Sequence, residues 1–115
     1  MSAEASSPSP LPTATFHILV ALVGEDLHGY AILRDIEQRS AGSVRLGAGT
    51  RYRTLQRLLE QGWIVELDER PVLDDERRRY YRITPLGRRV VEAEARRLAE
   101  MLGFARAAGL APEAS

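Results

Sequence analysis

The chain has 115 residues, 44% of them hydrophobic, which fits one folded domain, alone or with an arm. Sixteen basic residues, all Arg, balance sixteen acidic ones, and the absence of cysteine excludes a disulfide framework, a thiolate metal site and a cysteine nucleophile. The basic charge is nevertheless concentrated, because the stretch 77–91 holds six Arg and no acid. A basic surface concentrated in this way favours binding to an anionic groove over non-specific binding to polyanions.

The chain shows no membrane or secretory segment. Its longest apolar run, 18–23, is far too short to cross a bilayer. The basic and apolar regions of a signal peptide are also missing, so we expect a cytoplasmic protein without membrane contact. Residues 1–12 consist mainly of Ser, Ala and Pro with a single charge, and this composition predicts a disordered arm.

The first helix is predicted to start with Thr13 as its cap and to run to about Val23. Phe16 and Leu19 share its apolar face at helical spacing. Gly24 and the two acids after it end the helix. This helix should therefore pack one apolar side against the rest of the domain.

The second helix is predicted from about His28 to Ser40. Its apolar spacing predicts that Tyr30 is buried. The alternating residues 43–46 that follow predict a very short strand.

The third helix is predicted within the stretch from Gly47 to Ile64. A period of 3.6 residues puts Tyr52 and Leu55 on its buried side. The outward side carries cations, hydroxyls and one amide: Thr50, Arg53, Thr54, Arg57 and Gln61, with Arg51 on the flank. Arg binds guanine or phosphate in a bidentate manner and Thr can bond to either, so this face suits DNA. The helix alone does not distinguish that function from an ordinary solvated surface.

Two antiparallel strands are predicted at 63–67 and 80–83, joined by a wide charged loop at 68–79. The loop is acidic from Glu66 to Glu76, and the basic residues follow it: Arg77, Arg78, Arg79 and Arg82. These side chains are placed to meet phosphates or a minor groove. Because successive side chains of a strand alternate, only some of them can contact one DNA strand.

The last helix is predicted from Thr84 as cap and Pro85 as first helical residue to about Ala108. Its apolar residues are spaced as in a heptad repeat: Val91, Ala95, Leu98, Leu102 and Ala105, widened by Met101 and Phe104. The helix could pack on the chain's own first helix. We favour pairing with a second copy, because the helix is long for so small a domain.

The fold is therefore predicted as mainly α with a small β-hairpin: a winged helix-turn-helix at 13–84, a dimerisation helix at 85–108 and a tail at 109–115. Four motifs follow one another along the chain: His28-Gly29-Tyr30, Gly49-Thr50-Arg51-Tyr52 with Leu55 and Arg57-Leu58, Gly62-Trp63-Ile64, and Arg78-Arg79-Tyr80-Tyr81-Arg82-Ile83-Thr84 with Gly87. In that order and spacing the chain resembles the PadR family of transcriptional regulators over roughly residues 15–105.

The resemblance implies a homodimeric repressor whose last helix is swapped across the dimer, and some similar proteins bind aromatic or drug-like effectors between the subunits. A dimer of this kind should bind a pseudo-palindromic DNA operator. The expected DNA contacts are Thr50, Arg51, Tyr52, Arg53, Thr54, Arg57, Arg78 and Arg79. The expected dimer contacts are Phe16, Val91, Leu98, Met101 and Leu102.

The chain departs from the family pattern in three respects. Arg51 and Arg53 stand beside the third-helix Tyr52, where the family commonly has an apolar residue and a proline. The wing loop is unusually acidic, so its tip could stay off the DNA. There is only one terminal helix, which leaves little room for a separate ligand domain.

Two aromatic residues are candidate effector contacts, Trp63 and Phe104. For Trp63 we favour the other role, an apolar anchor between the wing and the last helix. The two histidines have no convergent carboxylates, so neither a metal site nor a cofactor is expected. No enzyme is expected either, because no serine has a partner base and no glycine-rich phosphate loop is present.

The sequence thus favours a dimeric, sequence-specific DNA-binding repressor, with a small molecule as a candidate effector. An alternative is a winged helix that serves protein–protein interaction without DNA binding, which the neutral net charge and the acidic wing loop would allow.

Overall fold

The computed structural model of the protein describes residues 10–67 and 79–110. Within those ranges the chain forms four helices and three strands, so the predicted class, mainly α with a small sheet, is confirmed. In chain order they are α1 (Thr13–Gly24), β1 (Leu27–His28), α2 (Gly29–Arg39), α3 (Ala48–Glu60), β2 (Ile64–Glu66), β3 (Tyr80–Ile83) and α4 (Pro85–Ala107). No helix of the described ranges is both long and apolar enough to traverse a membrane.

The core is built around α1, which contacts α2, α3, α4 and β3. α1 is apolar on nearly all sides, and a helix of that composition is stable only when it is surrounded. Side chains from α1, α2, α3 and β2 are almost fully buried at its centre: Ile18, Leu19, Leu22, Ile32, Ile36, Leu58 and Ile64. The helix-turn-helix is therefore fixed to a single apolar centre.

The sheet has the strand order β1–β3–β2, and both pairings are antiparallel. Leu27 pairs with Tyr81 and Ile64 pairs with Ile83, so the predicted hairpin is joined by a third strand. The strand predicted at 43–46 was wrong. The main-chain N–H of Val44 donates to Ser40 Oγ at 3.0 Å, which closes the turn after α2, and residues 44–46 are irregular.

The start of the described chain also differs from expectation. Leu11, which the composition assigned to the disordered arm, is only 8% exposed. Thr13 is not a cap: Pro12 holds the N-cap position of α1, and no side chain of the described residues caps that helix. Residues 1–9 of the predicted arm and 111–115 of the predicted tail lie outside the described ranges.

α4 divides into a covered half and an uncovered half. Thr84 caps it as predicted, because its Oγ1 accepts the N–H of Gly87 at 3.0 Å. The first half buries Gly87, Val90, Val91 and Glu94. Val91, predicted to lie at a dimer interface, is therefore part of the chain's own core. The second half carries exposed apolar side chains, with Leu98, Met101, Leu102 and Phe104 between 37% and 73% exposed.

Candidate nucleic-acid interface

The outward face of α3 is rotated from the predicted one. Leu55 and Leu58 define the buried face. At about 100° per residue, Thr54 lies about 40° around the helix from Leu58, which is fully buried, whereas Tyr52 lies about 120° from it. Thr54 is accordingly 5% exposed and Tyr52 is 62% exposed. Both expectations were wrong: Thr54 is too buried to reach a groove, whereas most of the Tyr52 side chain is exposed.

Arg53 and Arg57 lie on the exposed side of α3, one turn apart, as predicted. The guanidinium of Arg53 lies 3.5 Å from Thr50 Oγ1. Gly49 leaves room for it, because a Cβ at that position would be 3.1 Å from Arg53 Nη1. The first turn of α3 therefore presents a cation and a hydroxyl side by side.

A cleft of about 240 Å³ opens beside α3, between the start of α2 and strand β3. Its lining includes His28, Tyr30, Arg51, Tyr52, Arg79 and Tyr81. Arg51 closes the cleft on one side by packing against Gly29: a Cβ added to Gly29 would lie 3.5 Å from Arg51 Nε. Three of the expected DNA-contact residues, Arg51, Tyr52 and Arg79, thus meet in one place.

Tyr30 was expected in the core but is 60% exposed. It lies two residues before Ile32, which is buried, and two residues correspond to about 200° around a helix. The ring lines the cleft, and the guanidinium of Arg34 lies 5.8 Å from its centroid. The aromatic character of Tyr30 is visible in the sequence, but the apolar spacing of α2 placed it on the wrong face.

His28 begins α2, as its position in the sequence predicts. Its Nδ1 accepts the N–H of Ala31 at 3.2 Å, so the neutral imidazole carries its proton on Nε2. The ring packs edge-on against Tyr80 with centroids 5.2 Å apart. His28 and Tyr80 are also paired across β1 and β3, so this contact ties the start of α2 to the sheet at the edge of the cleft.

Tyr81 forms a buried part of the cleft. Burial raises the pKa of its hydroxyl, the charge of Glu66 raises it further, and the charges of Arg79 and Arg51 oppose the rise. The hydroxyl therefore stays protonated at neutral pH. The same two Arg residues supply the positive potential of the cleft.

The basic residues of the wing have different roles. The side chain of Arg79 is 61% exposed, and its ion pair with Glu66 is loose at 3.9 Å. Arg82 instead forms a two-fold contact with Asp26, at 3.1 and 2.8 Å, which lowers the pKa of that carboxyl. Arg77, Arg78 and the acidic loop tip lie outside the described residues.

The aromatic residues expected to contact an effector differ sharply in their surroundings. Trp63 is 6% exposed and belongs to the core cluster, which agrees with the anchor role rather than with ligand contact. Phe104 is 73% exposed on the uncovered half of α4. Phe16, expected at the dimer interface, is half-buried and lines a second cavity of about 340 Å³ between α1 and α4, together with Leu98.

The comparison with family models identifies the PadR-like family. The model of the transcriptional regulator PadR-like family matches residues 18–93. The chain is 34% identical over 85 residues to the transcriptional regulator Rv3488 of Mycobacterium tuberculosis, covering 74% of this chain and 75% of that protein. It is 40% identical over 86 residues to a 37.1 kDa protein of transposon TN4556 from Streptomyces fradiae. That match covers 75% of this chain but only 23% of the transposon protein.

Solved structures show the same fold. A PadR family transcription regulator from Clostridium difficile superposes with a TM-score of 0.72 at 23% identity, covering 83% of this chain and 96% of that one. Bacillus subtilis PadR, in complex with operator DNA, gives a TM-score of 0.62 at 20% identity, covering 73% and 47%. The family is one of transcriptional regulators and not of enzymes. On the family model and the relative at 34% identity, the chain belongs to the PadR-like family of transcriptional regulators.

Proposed function

We propose that the protein is a homodimeric, sequence-specific DNA-binding regulator that represses transcription. The observation that carries this is the convergence of Arg51 of α3 and Arg79, which directly precedes β3, on a cleft beside the exposed Arg face of α3. Two cations at a concave surface suit the phosphate backbone. A neighbouring helix face rich in Arg suits base edges.

The contacts divide naturally between the two surfaces. α3 enters the major groove, with Arg53 and Arg57 directed at bases. The cleft receives a backbone phosphate, which the positive end of α2, Arg51 and the hydroxyl of Tyr52 can bind. Arg79 contacts the backbone from the wing side. In this arrangement the phosphate contacts set the register in which the bases are read.

The dimer forms through α4. Its first half is covered by the chain's own domain, while the second half exposes Leu98, Met101 and Leu102 on a helix about 34 Å long. A second copy that covers these side chains would remove a large apolar surface from water. The two α3 helices would then face pseudo-palindromic half-sites about 10 bp apart, centre to centre. Such a regulator acts in the cytoplasm, where the chromosome lies.

A small aromatic effector would have a place to bind within the described part of the chain. The cavity between α1 and α4 adjoins Leu98, at the edge of the proposed dimer surface. A ligand there would contact Phe16 and change how α4 meets its partner. Such a ligand would release DNA if it bound more tightly to a dimer geometry that does not fit the operator than to the geometry that does.

The direct test is an electrophoretic mobility shift with the promoter of the protein's own gene. We expect a discrete complex that resists an excess of random duplex. A protein that binds neither duplex, while it assembles with other proteins, would establish the alternative role in protein–protein interaction. Binding to both duplexes with equal affinity would contradict sequence specificity.

A further inference from the structure

The C-terminal end of α3 is closed by a compact turn. Gly62 adopts the left-handed conformation with φ of +75°. Its N–H donates to the carbonyl of Leu59 at 3.1 Å, and the N–H of Trp63 donates to the carbonyl of Leu58 at 3.0 Å. These two bonds form a Schellman motif, which satisfies the last carbonyl groups of the helix. The direction of the chain on leaving α3 is therefore fixed.

Thr84, the N-cap of α4, is bonded to that same turn. Its Oγ1 donates to the carbonyl oxygen of Gly62 at 2.7 Å, and its N–H donates to the carbonyl oxygen of Trp63 at 2.9 Å. The same Oγ1 accepts the N–H of Gly87 at 3.0 Å. One hydroxyl thus joins the end of α3 to the beginning of α4.

Gly87 allows α4 to approach this closely. A Cβ at position 87 would lie 2.1 Å from the carbonyl oxygen of Trp63 and 3.0 Å from Ile83 Cγ1. The first of these contacts is with backbone, which cannot rotate away. Any other residue at 87 would push the first turn of α4 off the turn that ends α3.

A small rotation at this junction has a large effect at the dimer surface. The exposed apolar segment 98–104 is centred 16 residues beyond Pro85, or about 24 Å along the helix. A rotation of about 10° would displace that point by about 4 Å, close to the base-pair rise of about 3.4 Å. In a symmetric dimer both copies rotate, so the part of each displacement that lies along the line joining the two α3 helices counts twice in their separation.

We infer that Thr84 and Gly87 are specificity-determining residues that act at a distance: by fixing α4 against the end of α3, they select the spacing between operator half-sites. This inference rests on the proposed function, because it needs a dimer that binds two half-sites. Neither residue contacts DNA in the proposed arrangement. They are positioning residues for α3, and they act in addition to the contacts that hold α4 on α1.

The test uses the full chain and a series of duplexes in which the half-site spacing is changed one base pair at a time. Fluorescence anisotropy gives the affinity for each duplex and for a single half-site.

Wild type should show one best spacing. Thr84→Ser keeps the hydroxyl and should show the same profile. Thr84→Val removes it, and its preference for the best spacing over the adjacent ones should fall at least about fivefold. Its affinity for the single half-site should stay at the wild-type value.

Gly87→Ala should move the best spacing itself, provided that circular dichroism shows a folded protein. If that variant does not fold, the Thr84 pair decides the question. A Thr84→Val variant that melts earlier but keeps the wild-type spacing profile would show a merely structural junction and overturn the inference. A wild-type protein with no spacing preference would overturn the inference and the proposed dimeric operator binding together.

Discussion

The main-chain N–H of Leu11 donates a hydrogen bond of 3.2 Å to Glu94 Oε2, 83 positions further along the chain. Glu94 is 4% exposed, and Arg97 donates two further bonds to its carboxylate, of 2.9 and 2.6 Å. The segment that leads into α1 is thereby tied to the middle of α4. Glu94 is also the last buried residue of that helix, so it marks where the covered half ends.

Replacing Glu94 by Ala should destabilise the fold. The N–H of Leu11 would lose its acceptor in a buried place, which costs about 1–3 kcal/mol. Arg97 is partly exposed, so water can solvate its guanidinium once the carboxylate is removed. The loss of this contact therefore adds less to the destabilisation. Chemical denaturation at a fixed protein concentration measures the difference. Glu92→Ala is the matched control, since Glu92 lies on the exposed side of the same helix. Equal free energies of unfolding for the two variants would contradict the role given to Glu94.

Leu98→Asp should shift the protein from dimer towards monomer. Leu98 is 37% exposed on the uncovered half of α4, and an Asp at this position would be buried in the proposed dimer. Sedimentation velocity over a range of concentrations measures the shift. Ala93→Asp adds the same charge to an exposed position of the same helix and should leave the dimer intact. A Leu98→Asp protein that remains dimeric would show that α4 is not the dimer helix.

The first half of α4 shows what the sequence could predict. A Thr-Pro pair at a helix start has a local cause, the capping of free N–H groups, and the structure confirms that start. The boundary at Glu94 between the covered and uncovered halves of α4 depends instead on tertiary packing, which the local sequence does not reveal. Val91 fits a heptad as well as it fits a core face, and only the position of α1 decides between them.

The two exposed tyrosines show the same limit. Tyr30 and Tyr52 are large and aromatic, and periodicity alone assigned both to buried faces. Tertiary packing instead orients α2 with Ile32 towards the core and α3 with Leu58 towards the core, so both tyrosines face outward. The cleft that results joins residues from three separate segments, so no spacing along the sequence could have revealed it.

The contact between Arg82 and Asp26 should give a small, pH-dependent stabilisation. The pKa of Asp26 is lowered chiefly by the hydrogen bond from Arg82, so the stabilisation is present above the unfolded pKa of about 3.9 and is lost as the pH falls through the lower, folded value. Asp26→Asn should therefore reduce the free energy of unfolding near neutral pH by about 0.2–1 kcal/mol, as for other exposed pairs. The difference from wild type should vanish in acid.

Glu25→Gln removes a neighbouring acid without touching Arg82 and serves as the control for that experiment. A difference between Asp26→Asn and wild type that persists at pH values below the folded pKa would show that the ion pair is not its cause. High salt should reduce the effect at neutral pH, since both side chains are partly exposed.

The two parts of the proposed DNA-binding surface should differ in what they recognise, one reading bases and the other binding phosphates. Arg53 and Arg57 lie on the outward side of α3, whereas Arg79 lies at the cleft beside the wing. Base contacts carry sequence information and phosphate contacts do not. The measurement is anisotropy titration of Arg53→Ala, Arg57→Ala and Arg79→Ala on the operator and on a random duplex, at several salt concentrations.

We expect Arg53→Ala and Arg57→Ala each to weaken binding to the operator by about 1–3 kcal/mol and to change binding to the random duplex little. Arg79→Ala should weaken both complexes alike. It should also flatten the slope of log K against log salt by about 0.9 for each phosphate that the dimer no longer neutralises. If all three variants bind both duplexes as wild type does, neither α3 nor the cleft contacts DNA, and the proposed division between base and phosphate recognition is contradicted.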